Sequence, residues 1–187
     1  KLFSVIWTTT PWTMPANQAI SVNPELDYSW VKIGDEAWLL ANGLIETATK
    51  EMGVESYEVL NTFKGSELEL ANFKHPFADR NAPILLGSHV TLDAGTGCVH
   101  TAPAHGEDDF NVVKAYKDAG KIDFEILSLV DATGRYIAKV DEPRYGDTEQ
   151  PLAGVEIHDA EVPVIKILAH NGALVQKGNI RHQYAHC

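Results

Sequence analysis

DAGTGCVHTAPAHGEDDF, from Asp93 to Phe110, changes character twice, and the rest of the chain is read outward from it. Gly95 and Gly97 bracket Thr96, which suits a tight turn or a close approach of backbone to another group. CVHTA then reads as a short apolar strand in which Cys98 is core rather than a nucleophile. Beyond Gly106 the period lengthens. EDDFNVVKAYKDAG places Phe110, Val113 and Ala115–Tyr116 on one helical face and stops at Gly120. Glu107, Asp108 and Asp109 suit the positive end of that helix. A strand therefore runs into a helix, and His100, His105, Asp108 and Asp109 collect at the junction.

Toward the N-terminus, LFSVIW reads as a strand, and WTTTPWTMPANQAI (Trp7–Ile20) follows it. Pro11 and Pro15 break the strand, each pushing the residue before it toward extended geometry. Threonine favours strands, but three in a row before Pro-Trp-Thr-Met-Pro go beyond that preference. Grouped hydroxyls on a loop can orient a water and bind a small polar substrate. YSWVKI and AWLLA flank Gly34-Asp35-Glu36 as a hairpin. Asn42 is expected to cap a helix that reaches Met52 and ends at Gly53. YEVLNTF and APILLGSHVTL are expected strands. DAEVPVIKILAHNG is an expected late helix, capped by Asp159 and stopped at Asn171-Gly172. Short strands with segregated helices give an α+β fold, a mixed, β-barrel-like core with a few peripheral helices.

The 187 residues suffice for one domain, which at this size buries about 70% of its unfolded surface without staples. Hydrophobic content of 44% and charged content of 22% are ordinary. No apolar run approaches the ~20 residues that cross a bilayer, and KLFSVIW lacks the regions of a signal peptide. Cys98 and Cys187 fit a reducing cytoplasm rather than a disulfide scaffold. The net charge is −11, and the 15 Lys and Arg residues are scattered from Lys1 to Arg181. A protein that grips nucleic acid alone carries a basic patch, so most of any RNA partner must be held by something else.

Two chemistries are tested by the motifs. His100 and His105 with the aspartates after them form a mixed nitrogen and oxygen set of the kind that can hold zinc. Their spacing matches neither His-Glu-x-x-His nor a Cys-x-x-Cys knuckle. The terminal HQYAHC offers His182, His186 and Cys187 without further partners, so no metal is expected in this chain. A threonine nucleophile needs an adjacent base, and there is no G-x-S-x-G elbow. Binding is the better use of the hydroxyls.

WTTTPWTMPANQAI together with GTGCVHTAPAHGEDDF closely resembles the editing domain inserted in class I isoleucyl-tRNA synthetases of bacterial type. The related valyl and leucyl enzymes usually carry T-T-R-P, where this chain has Thr10 before Pro11 and Trp12 after it. LDAGTG, GVEIHDA and RHQYAHC extend a weaker likeness over nearly the whole chain. Met14 and Cys98 depart from the usual leucine and alanine, and both changes are volume-tolerant. The resemblance implies a single editing domain over 1–187, excised from a larger synthetase. Its task would be to hydrolyse valyl-tRNA(Ile), with valyl-adenylate as a second substrate. A synthetic site built for isoleucine rejects valine by only about 1–3 kcal/mol, a magnitude for which this synthetase is itself the reference case.

Carried over residue by residue, the resemblance makes Asp109 the holder of the substrate's α-ammonium, while Asp108 serves the helix. Thr9 and Thr10 would position the attacking water and Thr8 would bind substrate. Trp7 and His100 would line the side-chain pocket, with His100 the gate against isoleucine. Asn17 and His105 complete the expected binding set. No cofactor is implied in this domain; any ATP or zinc would belong to the full-length enzyme. The implied partners are the tRNA(Ile) 3′ end carrying valine and the rest of the synthetase, in a cytoplasmic monomer. The alternatives are a non-catalytic docking module for the tRNA acceptor end, an editing domain of the valyl or leucyl type, or an unrelated metal-dependent hydrolase.

Overall fold

A computed structural model of the chain describes residues 1–142 and 151–178. Its strands form two four-stranded mixed sheets. In the first, β1 (Leu2–Ser4) lies parallel to β4 (Glu36–Ala41), which pairs antiparallel with β3 (Asp27–Ile33), and β3 pairs with β5 (Glu58–Lys64). The expected β3–β4 hairpin is present, and Gly34 takes its turn at φ +58°. In the second sheet β2 (Ala19–Val22) lies between β7 (Asn81–Leu86), to which it is parallel, and β8 (Val99–Thr101), to which it is antiparallel. β6 (Asn72–Lys74) closes the far edge against β7.

The sheets share one core, built from Ile20, Val22 and Ile84 of the second and Tyr28, Leu39 and Ala41 of the first. Cys98 belongs to it and is fully buried, as its apolar run predicts. Two mixed sheets and few helices give the expected α+β fold, and its barrel-like core stays open. An isolated bridge from Trp7 to Val99 ties the chain leaving β1 to β8, but each sheet keeps its own hydrogen-bonded order. A second core lies beneath a 3₁₀ helix at Pro11–Ala16. There Met14, Phe77 and Tyr136 pack against Val164 and Ile167 of α3 (Glu161–His170).

Several local expectations change for identifiable reasons. Asn42 does not cap α1 (Ile45–Glu51), because its side chain accepts from Ser29 Oγ at 2.7 Å across the sheet and a 3₁₀ turn intervenes. Asp159 does not cap α3 either. Helix entry passes through Ala160, which is fully buried in the second core. The strand from Ala82 ends at Leu86, where the chain turns at Gly87. In α2 (Glu107–Asp118), Val113 and Tyr116 are buried, whereas Phe110 and Ala115 of the expected apolar face are exposed. Met14 is not extended despite the following Pro15. Both lie inside the 3₁₀ helix, where burial of Met14 outweighs the local preference of a pre-proline residue. β2 and β6 leave no clear alternation in the sequence, because each is only a few residues long and β2 is buried throughout.

Candidate functional site

The threonine peptide is clamped before it forms any cleft. Thr8 Oγ1 accepts from the Thr10 amide at 3.0 Å, which turns the chain. Thr10 O then accepts from the Thr13 amide at 3.0 Å and from Thr13 Oγ1 at 2.8 Å. Pro11 opens the 3₁₀ helix with its preset φ and no amide left to satisfy. The carbonyls at the helix's other end are held from the β6–β7 loop. His75 Nε2 donates to Met14 O at 2.9 Å, and its Nδ1 accepts from the Ala78 amide at 2.9 Å. Arg80 Nε donates to Asn17 O at 2.8 Å, and the same guanidinium reaches Pro15 O. Burial pushes the His75 imidazolium down to about 3, so the ring is neutral.

His100 sits on β8 opposite Ile20 of β2 and is 6% exposed. Its hydrogen bonds can be directed. The Asn17 amide nitrogen donates to Ala19 O at 2.9 Å, so the nitrogen 2.8 Å from His100 Nδ1 is a donor and Nδ1 an acceptor. Nε2 therefore carries the proton and donates to Thr13 Oγ1 at 2.8 Å, which passes its own hydrogen to Thr10 O. Burial lowers the His100 pKa to about 3, with His105 adding to the effect. Neutral, with both nitrogens engaged, this ring is a wall rather than a base.

Asp109 stands in the first turn of α2, with Oδ2 accepting from the Ala102 amide at 2.8 Å. Gly106 leaves room for this seat, since a Cβ there would press on the carboxyl carbon at 3.0 Å. Burial raises the Asp109 pKa above the ordinary carboxylate range, against the opposing pull of the Ala102 amide and His89. Asp108, its neighbour in the same turn, is exposed. His105 is half-buried and edge-on to Trp12 at 5.0 Å, and burial lowers its pKa.

These pieces enclose a cleft of about 200 Å³. Trp7, Thr8, Thr9, Thr10, His100, His105 and Asp109 all line it, so the structure brings together the predicted residues from both motifs. Asn17 is the exception. It lies behind His100, buried, and supports the ring. Gly95, at φ +82°, lets the turn press on the Trp7 ring, where a Cβ would sit 2.8 Å from it. Thr13 lines the cleft too and was not predicted. The signal was a hydroxyl three residues after Thr10, one 3₁₀ turn away. His75 and Arg80 carry no comparable signal, since they are more than fifty residues from the loop they hold. The terminal His182, His186 and Cys187 lie outside the described residues. A second cleft of about 180 Å³ shares Thr9 and Thr10 and runs past Trp12 to His158 and Glu161. Chemically, the first cleft offers an anionic seat, a ridge of hydroxyls and an apolar side bounded by Trp7, Val99 and a rigid neutral imidazole.

Comparison with known proteins follows the same outline. Residues 6–141 match the family model described as "Leucyl-tRNA synthetase, editing domain". The isoleucine–tRNA ligase of Brevibacillus brevis is 50% identical over 183 residues, covering 97% of this chain and 18% of that protein. That of Mannheimia succiniciproducens is 46% identical over 187 residues, covering all of this chain and 18% of the ligase. The chain thus spans less than a fifth of the curated relatives it matches. Among solved structures, GlLeuRS-CP1 superposes with a TM-score of 0.74 at 17% identity, covering 96% of this chain and 85% of that one. The editing domain of P. falciparum cytosolic leucyl-tRNA synthetase gives 0.69 at 11% identity, covering 91% and 78%. At such identities these two likenesses concern the fold.

Proposed function

Because this chain belongs to the aminoacyl-tRNA synthetase editing domains, we propose that its cleft hydrolyses valine from mischarged tRNA(Ile) within a longer isoleucine–tRNA ligase. The observation that carries the reading is Asp109, a half-buried carboxylate on the wall of a small, partly apolar cleft, where burial raises its pKa and a cation facing it would offset that cost. An α-ammonium supplies that cation through a charge-assisted hydrogen bond. The valine side chain then lies toward Trp7 and His100. His100, held at both nitrogens, does not swing aside for isoleucine's extra methylene.

The ester carbonyl falls at the threonine ridge. The hydroxyls of Thr9 and Thr10 orient a water that attacks the carbonyl carbon. The carbon–oxygen bond to the terminal ribose breaks, and the leaving ribose oxygen takes the proton that the water gives up. The products are free valine and uncharged tRNA. His100 is excluded as general base because its Nδ1 lone pair is already engaged by Asn17. No metal takes part in this scheme. The same cleft would accept valyl-adenylate, whose aminoacyl half is identical. The working setting is the cytoplasm, with the remainder of the ligase supplying most of the grip on tRNA.

The deciding experiment is single-turnover deacylation of Val-tRNA(Ile) and Ile-tRNA(Ile), with and without chelator, beside Asp109→Ala. Loss of valine alone, indifferent to chelator and abolished by the substitution, is the expected result. Hydrolysis that survives Asp109→Ala, or that needs a metal, overturns the reading. Binding of tRNA without turnover, in both this chain and the full-length ligase, would indicate a docking module instead.

A further inference from the structure

The wall that His100 presents to the cleft is only as fixed as the groups behind it, and those lead away from the two motifs. Its Nδ1 depends on the Asn17 amide. Asn17 lies one residue beyond the 3₁₀ helix, where carbonyls lack partners within the helix. Arg80, from the loop between β6 and β7, takes two of these, Asn17 O at 2.8 Å and Pro15 O. His75 from the same loop takes Met14 O and is itself fixed by the amides of Phe77 and Ala78. A guanidinium suits this place because it presents several donors in a rigid plane and carries positive charge to the negative end of a helix.

We infer that Arg80 is a positioning residue for the cleft's selectivity. By anchoring the backbone of Asn17 it holds the Asn17 side-chain amide against His100 Nδ1, and so sets the tautomer and the orientation of the ring that faces the substrate. The inference deepens the reading of the cleft as a valine-selective hydrolase and rests on it. Arg80 does not touch substrate in this account; it acts through Asn17 and His100. Without it the Asn17 carbonyl loses its partner from the β6–β7 loop, the side-chain amide is left to its bond with Ala19 O, and the donor at Nδ1 loosens so that the ring can take its proton at either nitrogen.

The test separates this role from simple support of the fold. Nitrogen-15 NMR of His100 in this chain, without substrate, reads the tautomer directly. Deacylation of Val-tRNA(Ile) against Ile-tRNA(Ile) reads selectivity, and thermal melting reads the fold. The wild type is expected to show one His100 tautomer, protonated at Nε2. Arg80→Met, which keeps the apolar stem, should fold, shift the His100 signals toward a tautomer mixture, and narrow the valine preference on the order of tenfold, as small misplacements of a positioned group do. Arg80→Lys, with charge but no fork, should fall between, and it carries the test if the methionine variant does not fold. Unchanged His100 signals in a folded variant overturn the inference, as does a changed tautomer with unchanged selectivity. If neither this chain nor the full-length ligase hydrolyses either ester, the proposed function fails while the NMR still decides what Arg80 does to His100.

Discussion

Asp109 and His100 show how burial gives two titratable groups opposite tasks within one cleft. Burial raises the pKa of the carboxylate, because the charged form is the costly one for an acid, and lowers that of the imidazole. Burial thus makes the charged form costly for both, and His100, held at about 3, is neutral at neutral pH. Truncating one partner of such a buried charge pair costs on the order of 2–5 kcal/mol. Asp109→Ala is therefore expected to lower kcat/KM for valyl ester hydrolysis by at least about 30-fold, measured in single-turnover deacylation. Stability moves the other way. A carboxyl whose folded pKa lies above its unfolded value destabilises the fold once pH exceeds the ordinary range. Asp109→Asn should then melt above the wild type at pH 7, with the gain vanishing near pH 3. A melting curve unchanged at pH 7 would contradict this.

At the scale of elements, the site depends on a 3₁₀ helix and a glycine turn rather than on the regular strands. Thr13 illustrates the limit of sequence reading. It stands between two prolines with no motif of its own, yet it joins His100 to the Thr10 carbonyl. The glycines are legible, because Gly95-Thr96-Gly97 suits a tight turn or a close backbone approach. Gly97 meets two demands at once, a φ of +77° and a Cβ position only 2.3 Å from Ala41 Cβ. Gly97→Ala is expected to cost about 2–4 kcal/mol in urea unfolding, from strain and overpacking together. Adding Ala41→Gly should recover only the overpacking share, since the backbone strain stays. Full recovery would mean the conformation itself was harmless.

For the whole molecule, charge and burial set the behaviour in solution. His75 and His100 have folded pKa values of about 3 against an ordinary 6.5, so the unfolded chain takes up protons that the native state refuses. Their contribution is complete above about pH 6.5 and is lost as pH falls toward 3, by up to about 1.4 kcal/mol per pH unit for each ring. Asp109 acts in reverse, its raised pKa costing stability as pH rises above the ordinary carboxylate value. His75→Gln should reduce the slope of stability against pH near pH 5 by about one proton, read from urea midpoints. The net charge of −11 leads to a further expectation. Each neutralised phosphate contributes a slope of about −0.7 to −0.9 in log K against log salt. This chain alone should therefore bind a tRNA acceptor end weakly, with a slope no steeper than about −2. A steep slope would reveal a cationic surface that the sequence does not show.

The sequence by itself determined what is local or compositional. It shows the β3–β4 hairpin, the α2 and α3 helices, the core place of Cys98, the two motifs and most of the residues that line the cleft. Each of these is written in neighbouring residues, by turn chemistry, periodicity or motif spacing. Only the tertiary structure decided how the strands divide into two sheets instead of closing a barrel, that Asn17 stands behind His100 and not in the cleft, and that His75 and Arg80 hold the loop. Those outcomes depend on contacts between segments tens of residues apart. A hydrogen bond from Arg80 to a carbonyl of the threonine loop leaves no trace in the spacing of either.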